Sequence, residues 1–224
     1  MQMVTQPTPV AYAQQKLAPQ MGALHGMQVA LSFGNAGEES KRKQILGVCD
    51  VSFLPRFGVK GLNVLQWLRA GKLNIPADPN TWEPQESGAL VLRLGNSEFL
   101  VEDQPGGNVC DSLNAAVEKS IHGLYKVLRN DASFILSGSE VMALFSELCS
   151  LDLRSEVLAA NGLVMTQVAG ISATVLRQYV NGEPVYRLWC DGTYGAYMWK
   201  TLVGIASEHG GGAVGVAKHY AGIF

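Results

Sequence analysis

Two stretches of this chain present the same signals in the same order. Phe57-Gly-Val-Lys-Gly61 closes a predicted strand, Arg56–Lys60, and leads to Leu62, Leu65, Trp67 and Leu68, whose spacing predicts a helix ended by Gly71. Phe134-Ile-Leu-Ser-Gly138 does the same ahead of a predicted helix over Val141–Cys149, where Ser137 and Glu140 have capping-box spacing. A predicted hairpin follows in each half. The first joins Ala89–Leu94 to Glu98–Glu102 through Gly95-Asn96-Ser97. The second joins Ser172–Val180 to Pro184–Cys190 through Asn181-Gly182, a pair suited to a type I′ turn. Both hairpins finish on an aspartate, Asp103 and Asp191, before the predicted helices Val109–Ile121 and Tyr194–Glu208. Further strands are predicted at Leu124–Arg129, Ser133–Leu136 and Leu163–Val168. Each half therefore reads β-α-β-β-α, which packs helices on one face of a mixed sheet. The expected class is α+β, built from duplicated units of about 53–121 and 124–208 arranged as a pseudo-twofold domain.

That domain is expected to span residues 35–208 and to begin with a helix over 36–46, whose Glu38 and Glu39 suit the positive end of the helix dipole. Residues 1–34, with Pro7, Pro9 and Pro19, read as an irregular arm, and 209–224 as an apolar tail. The tail either docks in a partner groove or folds back on its own domain.

Composition narrows the function. Charged residues make up only 16% against 47% apolar, where about 25% charged is usual. Disorder is excluded, and a surface so poor in charge suits either a large core or coverage by another subunit. The net charge of −2 offers no basic excess for nucleic acid. The N-terminal residues lack a secretory signal pattern, and the uncharged run 157–176 carries too many polar residues and glycines for a membrane span. Cys49, Cys110, Cys149 and Cys190 are widely spaced, with no Cys/His cluster for zinc; the expectation is reduced thiols in a cytoplasmic protein with no metal.

Candidate chemistry is sparse, and no catalytic residue is assigned. Asp103 and Asp191 suit helix caps, with a ligand pair as the alternative. Glu102 and Asp103 adjoin, but neighbouring strand residues face opposite ways. Gly210-Gly-Gly-Ala-Val-Gly215 matches a dinucleotide fingerprint, yet it follows a helix where that loop must follow a strand. His209 and His219 lack a third metal ligand. Tyr194, Tyr197, Trp199 and Phe224 are the candidates for a partner interface.

Several segments resemble the aminomethyltransferase (glycine-cleavage T-protein) superfamily, and most of all the gamma subunit of heterotetrameric sarcosine oxidase. They are Gly47-Val-Cys-Asp-Val-Ser52, Phe57-Gly-Val-Lys-Gly61, Leu92-Arg-Leu-Gly-Asn-Ser-Glu-Phe-Leu100, Arg129-Asn-Asp-Ala-Ser-Phe-Ile-Leu-Ser-Gly138 and Leu148-Cys-Ser-Leu-Asp-Leu153. The chain departs from the full-length enzymes in lacking their paired aspartates between PNTWEP and ALVLRLG and any counterpart of their C-terminal barrel. The Lys-Gly-Cys-Tyr motif of the related iron–sulfur maintenance protein is also absent. The resemblance thus implies a folate-binding-domain fold and a non-catalytic place in an N-methyl amine-oxidising complex, with FAD, FMN and NAD in alpha and beta partner subunits. Its alternative implication is a stand-alone tetrahydrofolate or pterin binder, for which Glu98 and Asp103 are the candidate carboxylates.

Overall fold

The computed structural model describes residues 5–117 and 122–222. Along the chain the elements are β1 (Gln6–Pro7), α1 (Ala11–Gln14), β2 (Gln20–Leu24), β3 (Met27–Ser32), α2 (Ala36–Leu46) and β4 (Gly47–Asp50). Then come β5 (Arg56–Lys60), α3 (Val64–Ala70), β6 (Thr81–Pro84), β7 (Leu90–Arg93), β8 (Glu98–Glu102), α4 (Val109–Val117) and β9 (Tyr125–Val127). The remainder is β10 (Asp131–Ser137), α5 (Val141–Leu148), β11 (Leu163–Val168), β12 (Ile171–Val180), β13 (Glu183–Asp191), α6 (Gly195–Glu208) and β14 (Gly212–Ala213). The class is α+β, and the chain divides into two compact units. One holds residues 1–53, 130–160 and 164–224; the other holds 54–129 and 161–163.

The second unit is a five-stranded sheet in the order β6-β7-β8-β5-β9. Alternation along β8 puts Phe99 and Val101 into the unit's core with Phe57, Val59, Leu68 and Leu113, while Glu98, Leu100 and Glu102 take the other face. Gly61 has φ +136, and a Cβ there would lie 2.1 Å from the Gly123 carbonyl oxygen, so only glycine lets the chain turn from β5 towards α3. The helix starts at Val64 and leaves Leu62 exposed. β6 occupies PNTWEP, which two prolines disguise as loop; Trp82 is buried on it. The predicted helix Val109–Ile121 is found over Val109–Val117, and its last residues lie outside the described ones.

The larger unit carries a six-stranded sheet, β11-β12-β13-β10-β4-β14. Ala132, Phe134 and Leu136 of β10 and Tyr186, Leu188 and Cys190 of β13 face one core with Leu202 of α6 and Phe145 of α5. Asn181 and Gly182 both have positive φ, as a type I′ turn requires. The capping box does not form. Ser137 completes β10 and its hydroxyl donates to the Lys43 carbonyl, while Glu140 precedes α5 without a side-chain cap. Instead the Ser139 and Glu140 amides cap α2, donating to the Gln44 and Ile45 carbonyls at 3.0 and 2.9 Å.

Both ends of the described chain pack into this unit. Residues 5–34 are not an irregular arm: β1, β3 and β2 form a three-stranded sheet, and Val10, Val29, Ala30 and Phe33 are buried. The apolar tail folds back. Gly212 and Ala213 pair in parallel with Gly47 and Val48, and Val214 and Val216 are buried. The glycine run allows this approach, since a Cβ at Gly211 or Gly215 would stand 2.1 Å from the Leu46 or Leu31 carbonyl oxygen. Glu39 joins both ends: its buried carboxylate accepts from the Phe33 amide at 2.9 Å and the Gly215 amide at 2.7 Å. The uncharged run 157–176 is mainly β11 and the start of β12. No helix of the described residues is long and apolar enough to cross a membrane.

His219 sits in the folded-back segment at 1% exposure. Burial, reinforced by the positive Lys43 and Arg187, lowers its pKa to about 3 from an ordinary 6.5. The unfolded chain therefore takes up a proton that the folded chain refuses. Stability should be full above about pH 6.5 and fall as pH drops towards about 3, by at most about 1.4 kcal/mol per pH unit from this residue. Urea denaturation across that range measures the slope, and His219→Leu should flatten it.

Candidate functional site

Two buried polar groupings stand out, one in each unit. In the larger unit Asp50 ends β4 at 4% exposure. Its Oδ1 accepts from the Ser52 amide at 2.9 Å and the Ser52 hydroxyl at 2.5 Å. Its Oδ2 accepts from the Thr8 hydroxyl at 2.8 Å and the Gln14 amide nitrogen at 3.4 Å. The Ser52 hydroxyl in turn accepts from the Ser133 amide, 3.0 Å away. Arg187, 1% exposed, donates to the Ser133 hydroxyl at 3.1 Å and lies 4.7 Å from the Trp189 ring centroid. A carboxylate and a guanidinium are thus held below the surface by one connected set of hydrogen bonds, which is what makes burying them tolerable.

In the other unit Glu102 and Asp103 are both buried and turn opposite ways, as their adjacency predicts. Glu102 forms an ion pair with Arg56 at 2.7 Å across the β5–β8 register. Asp103 accepts the Cys110 amide at 2.9 Å, satisfying an N–H of the first turn of α4. Asp191 caps its own turn, accepting from the Thr193 amide at 2.8 Å and hydroxyl at 2.6 Å; those bonds hold its carboxyl below the usual range. Both aspartates therefore act as caps.

Glu98 and Asp103 do not converge. Glu98 is half-buried on one face of β8, and Asp103 belongs to the other. Gly107 is pressed against Asp103, so a Cβ there would lie 2.8 Å from Oδ1. His209 hydrogen-bonds Glu147 at 3.0 Å, and His219 is buried separately in the folded-back segment. Among the described residues no three His, Cys, Asp or Glu side chains gather in a way that could hold a metal.

The proposed interface aromatics separate. Trp199 is a core residue at 1% exposure, stacked 5.9 Å from Phe33 and 6.4 Å from Phe134, and cannot meet a partner. Tyr194 and Tyr197 stay half exposed, the Tyr197 hydroxyl donating to the Ala169 carbonyl at 3.1 Å. Phe224 lies outside the described residues. The Asp50 grouping is not visible in the sequence, and only its Asp50-x-Ser52 turn has a local signal. Asp50-x-Ser52, Asp152-x-Arg154 and Asp191-x-Thr193 all place a carboxylate on the amide two residues ahead.

The fold has solved counterparts. Aminomethyltransferase T of the glycine cleavage system from Bartonella henselae superposes with a TM-score of 0.72 at 16% identity, over 96% of this chain and 60% of that one. This chain thus spans about three fifths of the enzyme it matches. A chain of the heterotetrameric sarcosine oxidase of Corynebacterium sp. U-96, solved with pyrrole 2-carboxylate, superposes with a TM-score of 0.65 at 18% identity, over 92% of this chain and 97% of that one. The chain has the fold of these two proteins, as the sequence resemblance implied. No family model matches it, and no curated sequence relative does.

Two measurements check the reading of these side chains. Asp50→Ala strips the acceptor from four donor groups and should cost about 3 kcal/mol of unfolding free energy, while Asp191→Ala, at an exposed turn, should cost clearly less in the same urea titration. The four cysteines are unpaired; Cys49, Cys110 and Cys190 are buried and Cys149 is half-buried. Burial raises the first two thiols well up and Cys190 to about 12. A thiol reagent at neutral pH should label Cys149 first and the other three only on unfolding.

Proposed function

We propose that this chain is a non-catalytic subunit of a multisubunit flavoprotein that oxidises N-methyl amines such as sarcosine, in the position of the gamma chain. The observation that carries the reading is the superposition on one chain of a heterotetrameric sarcosine oxidase, which runs over 92% of this chain and 97% of that one. Two further observations support it. Asp103 Oδ2 and Asp191 Oδ1 accept capping N–H groups, and Glu98 and Asp103 do not converge, so the carboxylates singled out by the sequence form no pair. Tyr194 and Tyr197 keep half-exposed rings on α6 and its leading turn, suited to a subunit contact. In this reading FAD, FMN and NAD belong to alpha and beta partners, and the chain works in the cytoplasm. The matching order of the two sheets, three consecutive strands followed by the strand that precedes them in the chain (β6-β7-β8 then β5, β11-β12-β13 then β10), favours an origin as a duplicated motif.

The test is affinity purification of the tagged chain from its native cell extract, followed by sizing and a visible absorbance scan. Co-elution with two or three larger partners and flavin bands is the expected result. A lone colourless peak would overturn the subunit reading. If that peak took up tetrahydrofolate, the binding-protein alternative would replace it.

A further inference from the structure

A cleft of about 460 Å³ opens in the larger unit beside α2, lined by Ser40, Lys43, Ser137, Glu183 and Lys218 among others. Two lysines and one carboxylate line it, and the carboxylate pairs with Lys43. Lys43 reaches Glu183 at 2.6 Å and the Lys218 carbonyl at 2.9 Å. Lys218 rests on neutral oxygens, the Ala36 carbonyl at 2.9 Å and the Ser40 hydroxyl at 2.8 Å. An ammonium has three N–H donors, so each lysine keeps one beyond these contacts. The two charges at the ion pair differ in how firmly they are held: the Lys43 side chain is 17% exposed and that of Glu183 is 57% exposed. The cation is built into the wall, and the acid leans over it from the solvent side. Lys43 is fixed because its helix turn is capped by the Ser139 and Glu140 amides and its own carbonyl accepts from Ser137.

We propose that this cleft binds a small oxyanion, such as a free phosphate or the phosphate group of a small metabolite, on Lys43 and Lys218, and that the Glu183 carboxylate holds the Lys43 ammonium until such a ligand displaces it. The excess positive charge attracts the anion, the spare N–H groups of the two lysines grip it, and the exposed Glu183 is displaced at the cost of a solvent-exposed ion pair. The proposal is independent of membership in an oxidase complex.

Inorganic phosphate titrated into the full chain at constant ionic strength, followed by isothermal calorimetry and by the Gly138 and Ser139 amide resonances, tests it. Saturable binding that shifts those resonances is expected. Glu183→Gln removes the competing charge at an exposed position and should tighten phosphate about two- to fivefold, the range set by an exposed ion pair. Lys218→Met should weaken it severalfold, with near-ultraviolet circular dichroism checking the fold. Absence of saturable binding to Glu183→Gln overturns the proposal, as does unchanged affinity in a folded Lys218→Met. Binding of a phosphomonoester tighter than inorganic phosphate would assign the site to a metabolite; equal binding would assign it to the free ion.

Discussion

The buried carboxylate of Asp50 is the constraint around which the larger unit is organised. It sits at the end of β4, where the strand must stop pairing and the chain must leave for the other unit. An unpaired charge there would be expelled to water. The fold instead brings Thr8 and Gln14 from the N-terminal segment and both polar groups of Ser52 onto its two oxygens. That requirement explains why the segment from Thr8 to Gln14 holds its place despite the prolines beside Thr8. It extends through Ser52 to Ser133 on β10, and through Ser133 to Arg187 on β13. One charge thus sets the relation of segments far apart in sequence, reaching from the core face of the sheet beside Phe134 to Arg187 on its other face.

Glu39 repeats the device with a different purpose. Its carboxylate accepts two backbone amides, one before α2 and one in the folded-back segment. Lys43 and Lys218 add cationic contacts to carbonyls of the same region. The fastening of the segment is therefore polar at its margins and apolar at Val214 and Val216. A tail that reads as a sticky apolar end in sequence is a covered strand in structure.

What was legible in the sequence were features whose cause is local. The hairpin at Asn181-Gly182 follows from two residues that tolerate positive φ, and the glycine exit of β5 from a backbone crowded by Gly123. The opposed directions of Glu102 and Asp103 follow from strand pleating alone. The misses were decided by distant partners. β6 is only Thr81–Pro84, hidden between Pro79 and its own terminal proline, and it forms because β7 pairs with it and Asn161 accepts the Trp82 amide. β14 is a glycine run that becomes a strand only beside β4. Trp199 looked like an interface anchor because helical spacing cannot say which neighbours await it, and Phe33, from the supposed irregular arm, is one of them. Within the site, the caps were legible from Asp position before a helix. The Asp50 grouping was not, because Thr8, Ser133 and Arg187 reach it only through tertiary folding.

The parallel pairing of β14 with β4 also bears on how the chain is made. The smaller unit is nearly continuous in sequence, from Leu54 to Arg129, and needs only residues 161–163 besides. The larger one is split around it, and its sheet has no β14, and Glu39 no Gly215 amide, until residues 212–215 have left the ribosome. Domains form as units during synthesis, so the inserted unit can assemble early while residues 1–53 wait. During that wait the apolar faces of β3 and β4 lack their later covers, and long-range closure is the slow kind. Synthesis rate and chaperone supply would therefore govern the yield of this protein more than its final stability does.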